Sequence, residues 1–425
     1  MTAVLKYGSD SEVTLEIPEE NLLADCGRPM SEPIDDPAAA VAAGLISPLE
    51  FPAFAECVLP DDRLAIVLDD ELPQVAELAV GVVQAAIDAK IDPTGITLVC
   101  GNSSMASEVA TSIKSVTGHG IDVKVHDPTD RDELAYLGVS AEGKSIYINR
   151  TIVDAEFVLP VGCMRLESAT GYHGVHGTIY PAFSDEEARK RFDAPSNEEF
   201  AAHRRRRRGE TEEVARLLGV TMTVQVVPGS RGEVLETLVG ETGAVARRGK
   251  EVCDTLWNYS IPGRASLVIA GIEGDGRSQT WENVARAISA ARTAVTDEGA
   301  IAICTELDCQ PGAALQRLVD IRDAESMILD LKKERSTDAA AAIQLLQVLE
   351  QHPVYLLSRL DDETVEDLGM APIGDLADLN RLSQRHESCI LLSNAQFAIA
   401  ELNDSDDANR DDFCEDEFAE DEASE

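Results

Sequence analysis

Short aliphatic runs alternate along this chain with longer stretches whose apolar residues recur at helical spacing. Residues 63–68 (RLAIVL) read as a strand ending in Asp69-Asp70, and residues 75–89 (VAELAVGVVQAAIDA) as a helix with one apolar face. Residues 95–100 (GITLVC) read as the next strand, Gly101-Asn102-Ser103-Ser104 as the turn after it, 105–116 as a helix and 121–125 (IDVKV) as a third strand. Parallel neighbours cannot be joined by a tight turn and need a crossover, so this alternation predicts a doubly wound, mostly parallel α/β sheet.

The pattern continues in two blocks. Residues 134–149 read as a hairpin with Gly143 near its tip, and 157–161 (FVLPV) as a buried strand. A loop rich in glycine and histidine follows at 171–177 (GYHGVHG). Beyond it come helices near 185–191 and 210–218, a strand at 221–227 and a long helix at 241–259. A second α/β run opens near Pro262. Its strands are 265–272 (ASLVIAGI), 300–305, 354–357 and 388–393. Its helices are 281–295 and 338–350, the latter with Asp338 as N-cap. Near the start, residues 13–17 (VTLEI) alternate as a strand does, while Pro29, Pro33 and Pro37 read as breaks in regular structure. The expected organisation is two α/β domains, residues 1–261 and 262–402, followed by an acidic disordered tail at 403–425.

Charge and cysteine usage narrow the partners. The net charge is −42, and residues 401–425 carry 13 acids against one arginine. So acidic a chain repels a phosphate backbone, which argues against nucleic acid as a partner. No apolar run reaches the roughly 18–20 residues of a membrane span, and no signal-peptide pattern opens the chain. The nine cysteines are scattered without a CxxC pair, as expected for buried free thiols in the cytoplasm.

Several positions invite chemistry. Gly101, Asn102, Ser103 and Ser104 lie between a strand and a helix, where free backbone N–H groups bind a nucleotide or carboxylate; Ser103 or Ser104 serves equally well there as a plain N-cap. Asp69 and Asp70 close a strand at the edge where open α/β sheets hold ligands, or are simply solvated. His173 and His176, at i and i+3 in the glycine-rich loop, can face one metal, with Glu167 close enough in sequence to join them; loop packing is the alternative. Ser103 is too weak a base near neutral pH, whereas Glu167 would serve if burial raised its pKa. His126 reads as a structural hydrogen-bonding residue at a strand end. Residues 271–276 (GIEGDG) read as a tight turn, since Glu273 and Asp275 would repel a pyrophosphate. The arginines Arg204 to Arg208 read either as a solvated helix face or as a dock for the acidic tail, an acidic partner or a nucleotide phosphate.

The order and content of these segments resemble the nickel-pincer nucleotide lactate racemase family over nearly the whole chain. The most specific stretch is 126–159 (HDPTDRDELAYLGVSAEGKSIYINRTIVDAEFVL), supported by 66–70 (IVLDD) and by the loop from Gly171-Tyr172 to Pro181. The resemblance implies a 2-hydroxy-acid racemase or epimerase with a cleft between its domains, and a pyridinium nucleotide carrying a nickel–carbon bond as coenzyme. It also shows where this chain departs. Glu71-Leu72-Pro73 stands where the family has Thr-Arg-Pro. Ser103 and Ser104 take the places of a catalytic His and an Arg, and Glu167 that of a second catalytic His. Gly177, after His176, takes the place of the lysine that anchors the coenzyme, and Asp193 falls near the expected nickel ligand. The expectation is a lactate racemase-like protein without covalently attached coenzyme, with Glu167 and His173 as catalytic candidates and His176 as metal ligand. Asp69, Asp70 and residues 101–104 are the candidates for binding the coenzyme or a related small molecule. The alternative is a non-catalytic relative that binds a nucleotide or hydroxy acid.

Overall fold

The computed structural model describes residues 2–27, 31–164, 174–193, 200–319, 323–331, 336 and 338–403. Two six-stranded sheets carry the fold. In the first, Leu64–Leu68 lies centrally, with Ile96–Cys100 and then Asp122–Val125 on one side. On its other side come Phe157–Cys163, Met222–Pro228 and Val234–Glu241. Only the last of these runs antiparallel to its neighbour. All five residues of Leu64–Leu68 are buried. An unbroken aliphatic run is what a strand covered on both faces requires.

The second sheet is parallel throughout, in the order Ala371–Pro372, Val354–Leu357, Val295–Cys304, Ala265–Gly271, Cys389–Leu392 and Leu22–Cys26. Its edge strand Leu22–Cys26 comes from the beginning of the chain. The hairpin of Thr2–Tyr7 and Ser11–Glu16 joins it there, burying Leu5, Val13, Leu15 and Ile17 against Leu267, Ile269 and Leu391. The expected unit 1–261 is therefore not continuous in space: its first strands belong with the second sheet. Nothing local could have said so, because the partner of Leu22–Cys26 lies far along the chain.

Four other points differ from the expectation. Pro37 does not break structure; it sits at the start of the helix Pro37–Ile46, where its missing N–H costs nothing, and Asp36 caps that helix by accepting from Ala39 N at 2.9 Å. That helix packs tightly on Val75–Asp88: a Cβ at Gly81 would lie 2.4 Å from Ala38 O, so only glycine permits the approach. The strand Val234–Glu241 was not expected at all. Asp338 precedes the helix Ala339–Leu349 but does not cap it with its side chain. Its carboxylate accepts instead from Ala314 N and Leu315 N, both at 3.1 Å, at the start of the helix Ala313–Gln316. The helix expected at 210–218 begins earlier, as Phe200–Leu217, and takes in the arginine run. There Arg206 meets Glu142 at 3.3 Å, Arg208 meets Glu212 at 2.8 Å, and Arg207 lies over the Phe192 ring.

Among the described residues six cysteines are buried as free thiols, as expected, while Cys57 is half-buried and Cys309 exposed. Among the described residues no helix is long and apolar enough to cross a membrane. Of the expected tail only Asn403 is described, its N–H bonded to Ile261 O at 2.8 Å; residues 404–425 lie outside the described part. The Asp338 contact yields a direct test. Asp338→Ala should cost about 1 kcal/mol in urea unfolding by uncapping Ala313–Gln316, and Asp338→Asn should recover part of that loss.

Candidate functional site

In the first sheet the chain order reverses direction at Leu64–Leu68, which has Ile96–Cys100 on one flank and Phe157–Cys163 on the other. Open α/β sheets hold ligands outside the carboxyl ends of the strands at such a point. Asp69 and Asp70 leave the central strand there, and Gly101 and Asn102 leave its neighbour. Asp69 is fixed by its own backbone: its N–H donates to Val161 O at 3.0 Å, and its Oδ1 accepts from Glu71 N at 2.9 Å.

Asp70 reaches across to the neighbouring loop. Its Oδ1 accepts from Gly101 N at 3.0 Å and from Asn102 Nδ2 at 3.3 Å. A Cβ on residue 101 would stand 2.0 Å from the Asp70 carboxylate, so glycine is required for this contact. The helix Ser103–Thr117 is capped by Asn102, whose side chain accepts from Met105 N at 2.8 Å. Ser103 and Ser104 are thus neither of them the cap; they lie exposed in the first turn. Burial raises the pKa of Asp70, the neighbouring Asp69 adds to the rise, and the Gly101 hydrogen bond and Arg189 work against it.

The glycine-rich segment is described from Gly174 onward; Glu167 and His173 lie outside the described residues. Gly177 N closes a turn onto Gly174 O at 2.8 Å, and His176 O accepts from Ile179 N at 3.0 Å. Gln225, buried on Met222–Pro228, holds the turn by donating to Val175 O at 3.3 Å. Tyr180 donates to Glu210 Oε1 at 2.6 Å, and Arg191 donates to both. His176 is half-buried, and among the described residues its buried Nδ1 has no hydrogen-bond partner. Burial lowers its pKa, against the pull of Glu212 and Glu241 and reinforced by Arg208. No three His, Cys, Asp or Glu among the described residues gather to hold a metal ion.

The sequence reading missed Arg286. It belongs to the helix Trp281–Ala294 of the second unit and points at the first. Its side chain is 10% exposed, donates to Asn283 Oδ1 at 2.9 Å and lies 3.7 Å from Glu71 Oε2. Its charge also reaches Cys163 at the end of the adjacent strand. Burial pushes that thiol well above the ordinary range, Asp69 and Cys253 push the same way, and Arg286 opposes them. An arginine on an amphipathic helix carries no local sign that it will cross to another unit.

Residues 7–192 match the family described as the lactate racemase N-terminal domain. Over residues 7–192 the chain is lactate racemase-like. The chain is similar along most of its length to the lactate racemase apoprotein from Thermoanaerobacterium thermosaccharolyticum. The likeness covers 94% of this chain and 100% of that one, at 16% identity and a TM-score of 0.78. It is also similar to a protein from Thermotoga maritima, over 86% of this chain and 99% of that one, at 11% identity and a TM-score of 0.62. At such identities the likeness is one of fold. No curated protein matches the chain.

Within the lactate racemase-like fold, His126 follows the strand Asp122–Val125 and is 5% exposed. Its Nε2 lies 2.9 Å from Ser184 O, which can only accept, so Nε2 carries the proton and Nδ1 accepts from Asn149 Nδ2 at 3.2 Å. The ring is held neutral: burial lowers its pKa from the ordinary 6.5.

Two predictions follow for His126 and Asp70. For His126 the unfolded chain binds the proton more readily than the folded one, so this residue's share of stability is present above its ordinary pKa. That share is lost as pH falls below about 6.5. Unfolding curves of His126→Asn should therefore depend less on pH than wild type between about pH 6.5 and pH 5. For Asp70 the sign is opposite. Its raised pKa makes ionisation in the fold costly, so its share of stability is lost as pH rises through the folded value. The stability of Asp70→Asn relative to wild type should accordingly increase from pH 4 to pH 7.

Proposed function

We propose that this lactate racemase-like protein binds a small hydroxy acid or a nucleotide in the crevice at Asp69, Asp70, Gly101 and Asn102, without a covalently attached coenzyme. The observation that carries this reading is residue 177. By the resemblance stated above, this position would supply a lysine to anchor the nickel-pincer nucleotide. Here it is a glycine whose N–H closes a turn onto Gly174 O. A hydrogen in place of an ammonium side chain cannot form that bond, and residues 174–184 contain no lysine. Lys190, the next along the chain, is engaged with Glu186 at 2.7 Å. The residues present do not fit a tethered coenzyme.

The donor set at the crevice supports binding of a polar small molecule. It offers the Asp69 and Asp70 carboxylates, the Asn102 amide and the start of a helix, beside the Arg286 guanidinium of the second unit. Ser103, where the resemblance would place a histidine, offers a hydroxyl that is no base near neutral pH.

The test is to produce the protein in a host able to make the pincer nucleotide and to measure its intact mass and nickel content. The expected mass is that of the unmodified chain, without stoichiometric nickel. Incubation with L-lactate should then give no D-lactate by chiral chromatography. A covalent adduct with one nickel per chain would overturn the reading.

A further inference from the structure

One loop-and-helix segment of the second unit reaches the first sheet's carboxyl edge at two points. Arg277, in the loop after Ala265–Gly271, places Nη2 2.8 Å from Glu108 Oε2 on the helix Ser103–Thr117. Arg286, on the helix that follows that loop, lies 3.7 Å from Glu71 Oε2. The two glutamates bracket the crevice: Glu71 directly follows Asp70, and Glu108 stands on the helix that Asn102 caps. Both arginines are held from behind. Asn283 and Glu282 accept from Arg286, and the backbone N–H of Arg277 donates to Asp275 Oδ1 at 3.0 Å.

A lone exposed ion pair contributes little, because holding two long side chains in register cancels most of the attraction. Here both arginines ride on one segment, so aligning the first pair largely aligns the second. The setting gives such pairs work to do: the chain's net charge is −42, and its units have reason to repel one another.

We infer that Arg277–Glu108 and Arg286–Glu71 form a two-point ionic clasp that holds the second unit closed over the Asp69–Asn102 crevice. Opening the clasp admits a ligand, and closing it places the Arg286 guanidinium beside the crevice. The clasp does not depend on which molecule binds there.

Small-angle scattering of the full chain at low salt tests the clasp. A compact chain of this length has a radius of gyration of about 22 Å. Arg277→Glu should raise it by at least about 5% while far-UV circular dichroism stays unchanged. The swapped double variant Arg277→Glu with Glu108→Arg should return it to the wild-type value. Arg381→Glu, which changes net charge equally at an arginine paired with Asp378 away from the crevice, should leave it unaltered. Should the circular dichroism of Arg277→Glu be reduced, Arg277→Gln serves the same comparison. An unchanged radius in the single variant, or failure of the swap to restore it, would overturn the clasp.

Discussion

Parallel strands impose a demand that shapes the rest of this molecule. Each must be returned to its starting end by a crossover, and the crossovers pack on both faces of the sheet, so the strands between them become uniformly apolar. Leu64–Leu68, buried at every position, meets that demand in full. The same geometry gathers the polar loops at the carboxyl edge, because a strand can turn toward solvent only after leaving the sheet. Asp69, Asp70, Gly101 and Asn102 meet for that reason, although the two pairs lie some thirty residues apart in sequence.

Within that edge the electrostatics are self-contained. A carboxylate of the protein already accepts the Gly101 amide, an asparagine already caps the helix, and an arginine from the other unit stands beside Glu71. Under the proposed function, an incoming ligand would compete with internal partners rather than enter a set of bare donors. Ligands that bring their own hydrogen-bonding groups in matched positions are the ones such a crevice can favour.

The parallel architecture was legible because continuous aliphatic runs and amphipathic helices are local patterns. So were the edge residues, since the rule placing ligands beyond the strand ends needs only the strand limits. What escaped was long-range. Leu22–Cys26 carries a weak pattern and owes its place to Cys389–Leu392. Pro37 was misread because proline interrupts a helix anywhere except at its start, and only the capping of Ala39 by Asp36 shows which case applies. Asp338 looked like the cap of the helix it precedes, yet serves a different one brought close by folding. Arg286 is invisible for the same reason, being defined by a neighbour from another unit.

The placement of Leu22–Cys26 has a consequence for how the molecule is made. This strand leaves the ribosome well before its partner Cys389–Leu392. At roughly 5–20 residues per second, about 20–70 seconds separate the two. The first sheet, whose strands all fall between Leu64 and Glu241, can assemble in that interval. The second sheet has to wait with an open edge until Cys389–Leu392 has been made. Biogenesis thus runs as a late ring closure, and until it happens the aliphatic strand Ala265–Gly271 is exposed to unwanted pairing with other nascent chains.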